Sequence, residues 1–305
     1  MIRPFEREDA AGVADLLRDT LETPWVTTPA DVLHWEREPA RARRASWVAT
    51  EGSKIVGWAN AQLRWEVSEQ GVAEAWVAVA RDHRGRGIGT SLFETADRHL
   101  SAIGATKVQS WAEEQNGKRF LAARDFREVR QDRISGLDPR EVDQPDRPVP
   151  EGFRIVPLRE VLERPRELYA VYMAGEADAP DVFEVDNISF EEWQTETLEI
   201  PSLDPDGSFV AVHGDRPVAI ALLEVDREHK RATNEMTATL PEFRRRGLAR
   251  LAKLASLRWA AELGVTSVLT SNDRENPAML ALNDELGYRP LVIRGLFVRG
   301  PAGPD

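Results

Sequence analysis

The feature that most constrains this chain is that it repeats itself. Arg84-Gly85-Arg86-Gly87-Ile88-Gly89 recurs as Arg244-Arg245-Arg246-Gly247-Leu248-Ala249, an offset of 160 residues. The same offset carries Gly104 onto Gly264, Thr106 onto Thr266, Val108 onto Val268 and Asn116 onto Asn276. Each half then closes on an aromatic after a turn residue, Asp125-Phe126 and Gly287-Tyr288. A chain of 305 residues exceeds the size at which one hydrophobic core stops growing, so a duplicated domain is the expectation. The stretch from Leu137 to Gly152 is rich in proline and acid and has no apolar period. It divides the chain into a first domain at 1–140, a linker at 141–150 and a second domain at 151–305.

Each half has an α/β pattern. Ser46–Thr50, Ile55–Ala59 and Ala75–Val79 predict strands in the first, as do Ser208–Val212 and Pro217–Leu223 in the second. An amphipathic helix follows each arginine-glycine loop. Its apolar stripe is Ile88, Leu92, Phe93, Ala96, Leu100 and Ile103 in the first copy. In the second it is Leu248, Leu251, Ala252, Ala255, Trp259 and Leu263. Gly104 and Gly264 supply the helix stops.

A small-residue loop between a strand and a helix start presents unpaired backbone N–H groups at the positive end of the helix dipole, which suits a diphosphate. Gly87 and Gly247 let the main chain approach the phosphates, and small residues at Gly89 and Ala249 let the helix pack closely. Arg84 and Arg244 are suited to bidentate phosphate bonds, with Gly85, Arg86, Thr90, Arg245 and Arg246 completing the loops. The P-loop pattern is absent. The dinucleotide pattern also fails, since Gly85 and Gly87 are followed by Thr90 and the second loop has a single glycine.

Both copies match Arg-x-x-Gly-x-(Gly/Ala), by which the chain resembles the GCN5-related N-acetyltransferase (GNAT) superfamily. The stretch Thr270 through Tyr288 and the segment Thr237 through Arg244 are similar to those of two-domain actinobacterial members. The resemblance implies two tandem folds of the α+β kind, each a mostly antiparallel mixed sheet flanked by helices, whose fourth and fifth strands splay apart. It implies acetyl-CoA as co-substrate. The pantetheine arm would then bond main chain near Val77 and Val79 in one half and Thr237 and Thr239 in the other. Asn272 and Asn276 are implied as further cofactor contacts.

The chain has no cysteine, so disulfides, thiolate metal sites and a cysteine acyl-enzyme are excluded. Direct attack of an amine on the thioester is then the economical mechanism. The family often uses a glutamate on the fourth strand as base. Glu235, nine residues before Arg244, and Glu74, ten before Arg84, are the candidates; each is as well explained as an exposed strand or loop residue. The family's usual acid, a tyrosine four residues before the closing glycine, is missing twice. Leu121 stands there in the first half, and Asn283, which can hydrogen-bond the leaving sulfur, in the second. The fuller tail favours the second half as catalytic.

Five scattered histidines show no metal-ligand spacing, and a net charge of -12 argues against nucleic acid. No apolar run is long enough to span a bilayer, no signal segment is evident, and a cytoplasmic monomer is expected. The acceptor is expected to be a small-molecule amine. A protein lysine or N-terminal amine and a non-catalytic CoA binder stay open. The acidic run Glu176, Asp178, Asp181, Glu184 and Asp186 reads as a solvated loop ahead of a lid for a cationic amine. Trp25 and Trp35 read as core ahead of an acceptor pocket, and His83 and His99 as surface or phosphate-side residues. Calorimetric titration with acetyl-CoA is expected to show binding to the intact chain and loss of one site in Gly247→Glu, whose carboxylate repels the diphosphate; no binding at all would remove the acyl-transfer reading.

Overall fold

The computed structural model describes residues 1–300 apart from Pro24, Glu38 and Asp146. Its contacts divide into two compact units. Unit 1 takes Met1–Asp132, Asp181–Ile188 and the segment from Val292, and unit 2 takes Arg133–Pro180 and Ser189–Leu291.

In unit 1 the alternating and β-branched runs form β1 (Ile2–Pro4), β2 (Ala45–Glu51), β3 (Lys54–Leu63), β4 (Val72–Val79) and β5 (Lys107–Ala112). Helices α1 (Ala10–Thr20), α2 (Pro29–Trp35), α3 (Ile88–Ala102) and α4 (Gln115–Ala122) accompany them. Strands β1 to β4 are antiparallel neighbours in chain order. The long strand β6 (Arg127–Leu137) follows. Unit 1 also takes a strand from much later in the sequence, in the segment from Val292. Gly295 to Arg299 of the last strand run antiparallel to β5, facing Ala112 to Val108. Phe297 thereby joins Phe93, Leu100 and Phe126 in one buried cluster.

Unit 2 repeats the plan with β7 (Phe153–Pro157), α5 (Pro165–Glu176), α6 (Phe190–Trp193), β8 (Phe209–His213), β9 (Arg216–Asp226), β10 (Arg231–Thr239), α7 (Leu248–Leu263), β11 (Ser267–Asp273), α8 (Pro277–Leu286) and the start of β12 (Arg289–Arg299), whose residues from Val292 belong to unit 1. Strands β7 to β10 are antiparallel, and β11 lies beyond β10, flanked in turn by β6. Leu223, Leu254, Leu257, Val268, Leu286 and Tyr288 form its main cluster.

The parallel pair in each unit is short. β4 and β5 pair only from Val72↔Lys107 to Glu74↔Gln109. β10 and β11 pair only from Arg231↔Ser267 to Thr233↔Leu269. Beyond these points a hydroxyl takes over. Ser110 Oγ donates to Ala75 O at 2.7 Å, and Thr270 Oγ1 donates to Asn234 O at 3.3 Å. The strands then part, as the family resemblance implies.

Two local features of unit 2 depart from simple pattern reading. The pairing of β10 with β9 shifts register between Asn234 and Thr237. That is a β-bulge, which leaves Glu235 and Met236 out of the regular ladder. The Asn234 side chain secures it, donating to Leu222 O at 2.9 Å and accepting from Thr237 Oγ1 at 2.9 Å. The buried face of α7 is also rotated from the expected stripe. It includes Arg250, Lys253, Leu254 and Leu257, while Leu263 is 38% exposed. Apolarity misjudged the face because two cations lie on it.

α5 lies against β10 through Gly175, where a Cβ would come within 2.7 Å of Ala238 Cβ and 3.1 Å of Met236 Sδ. Met236 can rotate aside, but the Ala238 Cβ is fixed to the strand and cannot. Gly175→Ala is therefore expected to destabilise the fold by about 1–3 kcal/mol, despite alanine's better helix propensity. Denaturant unfolding checks this, and a variant as stable as the parent would refute the close approach.

Candidate active site

The two arginine-glycine loops open into space. Gly85, Gly87 and Gly247 have φ of +75°, +84° and +77°, and a Cβ on any of them would meet nothing within 4 Å. A left-handed residue at the helix N-cap turns the main chain so that N–H groups face outward. The first helical N–H bonds to these caps are Ser91 N to Gly87 O and Leu251 N to Gly247 O, both 3.0 Å. The N–H groups of Ile88, Gly89 and Thr90, and of Leu248, Ala249 and Arg250, precede them and are left for an anion.

The loop arginines turn the other way. Arg84 Nε donates to Val79 O at 3.1 Å, and its guanidinium also reaches Thr20 O and Glu114. Arg244 Nε donates to Thr239 O at 3.1 Å and pairs with Asp178 at 2.5 Å. Both brace the strand end beneath the loop. Arg86 donates to Asp82 O at 2.9 Å, and Arg246 lies over the rings of Phe153 and Phe243. Arg245 is exposed, with φ of +59°. Thr90 Oγ1 accepts from Arg124 at 2.8 Å.

Beside each loop lies the edge left bare where the strands part. Thr237, Ala238 and Thr239 pair with β9 on one side only. Val77 and Val79 stand likewise in β4, paired with β3. Glu235 lies at the bulge on the rim of the parted region. The residue is exposed, with protein packed about its carboxyl. That crowding, with the like charge of Glu176 nearby, pushes its carboxyl up to about 7. Tyr172 of α5 completes the group: it is buried, hydrogen-bonded to Glu176 and Thr197, and burial pushes its phenol up.

Unit 1 differs at this point. No register shift interrupts β3 and β4, and Glu74 lies opposite Gln62. Against β5, Glu74 holds the place that Thr233 holds against β11. Its carboxylate accepts from Gln62 at 2.8 Å and from Gln109 at 3.4 Å. The structure thus does not give Glu74 and Glu235 equivalent places.

The acetyltransferase (GNAT) family pattern matches residues 10–126 and 167–288, most of both halves. The chain belongs to this family. It is an N-acetyltransferase with two tandem GNAT folds, and the family generally uses acetyl-CoA. The chain is 29% identical over 273 residues to the mycothiol acetyltransferase of Nocardia farcinica (strain IFM 10152), spanning 83% of this chain and 81% of that one. A tandem GNAT protein from the clavulanic acid biosynthesis pathway superposes with a TM-score of 0.75 at 20% identity, covering 100% of this chain and 99% of that chain. A GCN5-related N-acetyltransferase from Sphaerobacter thermophilus gives 0.70 at 19% identity, covering 99% and 96%. At these identities the two structures show likeness of fold.

The remaining candidates of this acetyltransferase are placed as follows. Asn276 caps α8, its Oδ1 accepting from Met279 N at 3.2 Å. Asn283 is fully buried, with Oδ1 accepting from Lys253 Nζ at 2.6 Å and Nδ2 donating to Asn272 Oδ1 at 2.5 Å. Burial lowers the Lys253 ammonium to about 7. Of the acidic run, Asp178 pairs with Arg244, Asp181 with Arg64 and Arg130, and Asp186 with Ser68. Trp35 packs against the first core of unit 1, and Trp25 and Trp111 stack on Arg294. Among the described residues no His, Asp and Glu group could hold a metal, and no helix is long and apolar enough to cross a membrane. Sequence reading placed Glu176 in a solvated acidic run and missed Asn234 and Lys253. For Asn234 the available signal was its place beside Glu235; for Lys253 there was none, since a lysine in a helix ordinarily reads as solvent-facing.

His83 is 6% exposed, so it is not a surface residue. It lines a cavity of about 430 Å³ with Arg86, Gly87 and Ile88, on the loop side of α3. Its ring lies 2.8 Å from Glu51 and 2.7 Å from Asp82. These bonds, Glu51's first, raise the imidazole above its ordinary value and lower both carboxyls. A raised histidine stabilises the fold below its unfolded pKa of about 6.5, and that share is lost as pH rises through the folded value. The carboxylates lose theirs as pH falls through their own lowered values. His83→Gln is thus expected to lower Tm more at about pH 6 than at about pH 9. An equal loss at both would refute the charged pairing.

Proposed function

We propose that this acetyltransferase moves the acetyl group of acetyl-CoA to the primary amine of a small molecule, by direct attack within a ternary complex in unit 2. The observation that carries this reading is the bulge that turns Glu235 out of the ladder beside the parted strands, where its carboxyl is pushed up to about 7. A base poised near neutrality removes a proton from an arriving ammonium without needing high pH. Acetyl-CoA supplies an activated thioester. Thr237 and Thr239 would hold its pantetheine arm through main chain. The N–H groups of Leu248 and Ala249, with Gly247 leaving room, would hold its diphosphate, a role for which Gly87, Ile88 and Gly89 are the counterparts in unit 1. Arg84 and Arg244 then support the loops from beneath, adding positive potential. The paired carboxylates Glu235 and Glu176 favour a cationic acceptor. The proton taken by Glu235 leaves through solvent. Asn283, buried and bonded on both sides, supports the cofactor wall, and CoA departs as the thiolate and takes its proton from solvent.

A relative named for mycothiol, itself a small molecule, supports a small-molecule acceptor over a protein one. For unit 1 a second reading is favoured, in which it holds CoA without transfer. Glu74 is occupied by two glutamine amides, and Arg64 lies buried beside it between Glu66, Gln109 and Asp181.

The test is the pH dependence of kcat/KM with an amine panel. The wild type is expected to gain activity through about pH 7, while Glu235→Gln loses this limb and about 10²–10⁴-fold in rate. Glu74→Gln is expected to leave both unchanged. An unaltered profile in Glu235→Gln would overturn the base assignment.

A further inference from the structure

Lys253 is 1% exposed in the middle of α7, and among the described residues its hydrogen-bond partner is Asn283 Oδ1, 2.6 Å away. The face of the Tyr288 ring lies 4.9 Å from its nitrogen. A methionine would fill the same volume without the cost of burying an amine, so packing alone does not account for a lysine here. Its hydrogen bond leads outward. Asn283, itself fully buried, passes the contact to Asn272 Oδ1 at 2.5 Å. Asn272 is half-buried and stands on β11, three residues past Leu269, the last to pair with β10. The chain therefore runs from the core of α7 to the wall of the parted region.

The direction of such a chain is set by its inner end. In its charged form Lys253 donates and cannot accept, so Asn283 then turns its oxygen towards Lys253 and its NH2 towards Asn272, as the structure has them. Asn272 must then turn its own oxygen inward, which leaves its NH2 facing outward as a donor. Without Lys253 either amide is free to flip, and the outer group is a donor or an acceptor with no preference.

We propose that Lys253 is a positioning residue, which through Asn283 fixes Asn272 as a hydrogen-bond donor to a carbonyl oxygen of the pantetheine–thioester arm. This rests on the reading of unit 2 as an acetyl-CoA site. It adds a residue that touches no ligand but sets the polarity of one that does.

The test is a double-mutant cycle on acetyl-CoA affinity, measured by calorimetry on the full chain. Lys253→Met and Asn272→Ala are each expected to weaken binding to the second unit roughly tenfold, about the worth of one hydrogen bond. If Lys253 acts only through Asn272, the double variant binds no more weakly than Asn272→Ala alone. A merely structural lysine would instead give losses that multiply. Wild-type affinity in Lys253→Met, or a multiplicative double variant, overturns the proposal. Asn283→Leu cuts the same chain at its middle link and must give the same loss, which keeps the test open should Lys253→Met fail to fold. Absence of acetyl-CoA binding by the wild type would defeat the acyltransfer site itself, a result distinguishable from a wild type that binds and variants that do not differ from it.

Discussion

Three residue pairs hold β10 to β11, and the same number hold β4 to β5. Had either ladder continued, every main-chain group of the two strands would be satisfied within the sheet, and no room would be left between them. Parting after three pairs exposes the edge of one strand while its other side stays tied to the antiparallel sheet. The edge is therefore bare and rigid at once, a combination that a loop could not supply. A hydroxyl from Ser110 or Thr270 closes the fork at its apex, so that strand separation starts at a defined residue. The glycine loop and the start of α3 or α7 come directly after the bare strand in sequence, which brings exposed N–H groups of two kinds to one place.

The units share this scaffold and differ in what they do with a carboxylate beside it. Glu74 receives two amide N–H groups and has Arg64 close by. Glu235 has crowding and the charge of Glu176 instead. The two amides occupy the Glu74 oxygens, whereas crowding and like charge favour the protonated form of Glu235. One inserted residue separates the two outcomes. The bulge after Asn234 turns Glu235 out of the ladder, and Asn234 keeps the bulge in place by bonding the carbonyl opposite it.

The loops and the repeat were legible because backbone geometry demands particular residues there. Only glycine takes φ near +80° without strain, so Gly87 and Gly247 announce their positions. The strand–loop–helix order followed from apolar periodicity for the same kind of reason. Counting from the arginine misplaced Glu74 relative to Glu235, since a bulge changes register without any distinctive residue. The buried face of α7 was hidden because Arg250 and Lys253 find partners supplied by distant segments, Glu285 and Asn283. The loop arginines were legible as basic but not as braces; their carbonyl partners, five residues upstream, are main-chain atoms that sequence does not name.

The pairing of Gly295–Arg299 with β5 bears on how the chain comes into being. β5 emerges from the ribosome with residues 107–112, yet the strand that covers its edge is made only with residues 295–299. Throughout the intervening synthesis, Phe93 and Phe126 lack Phe297 as a neighbour and one edge of the sheet lies open to any extended segment. The first half of this duplicated chain is thus translated early and finished last, and its maturation waits on the second half.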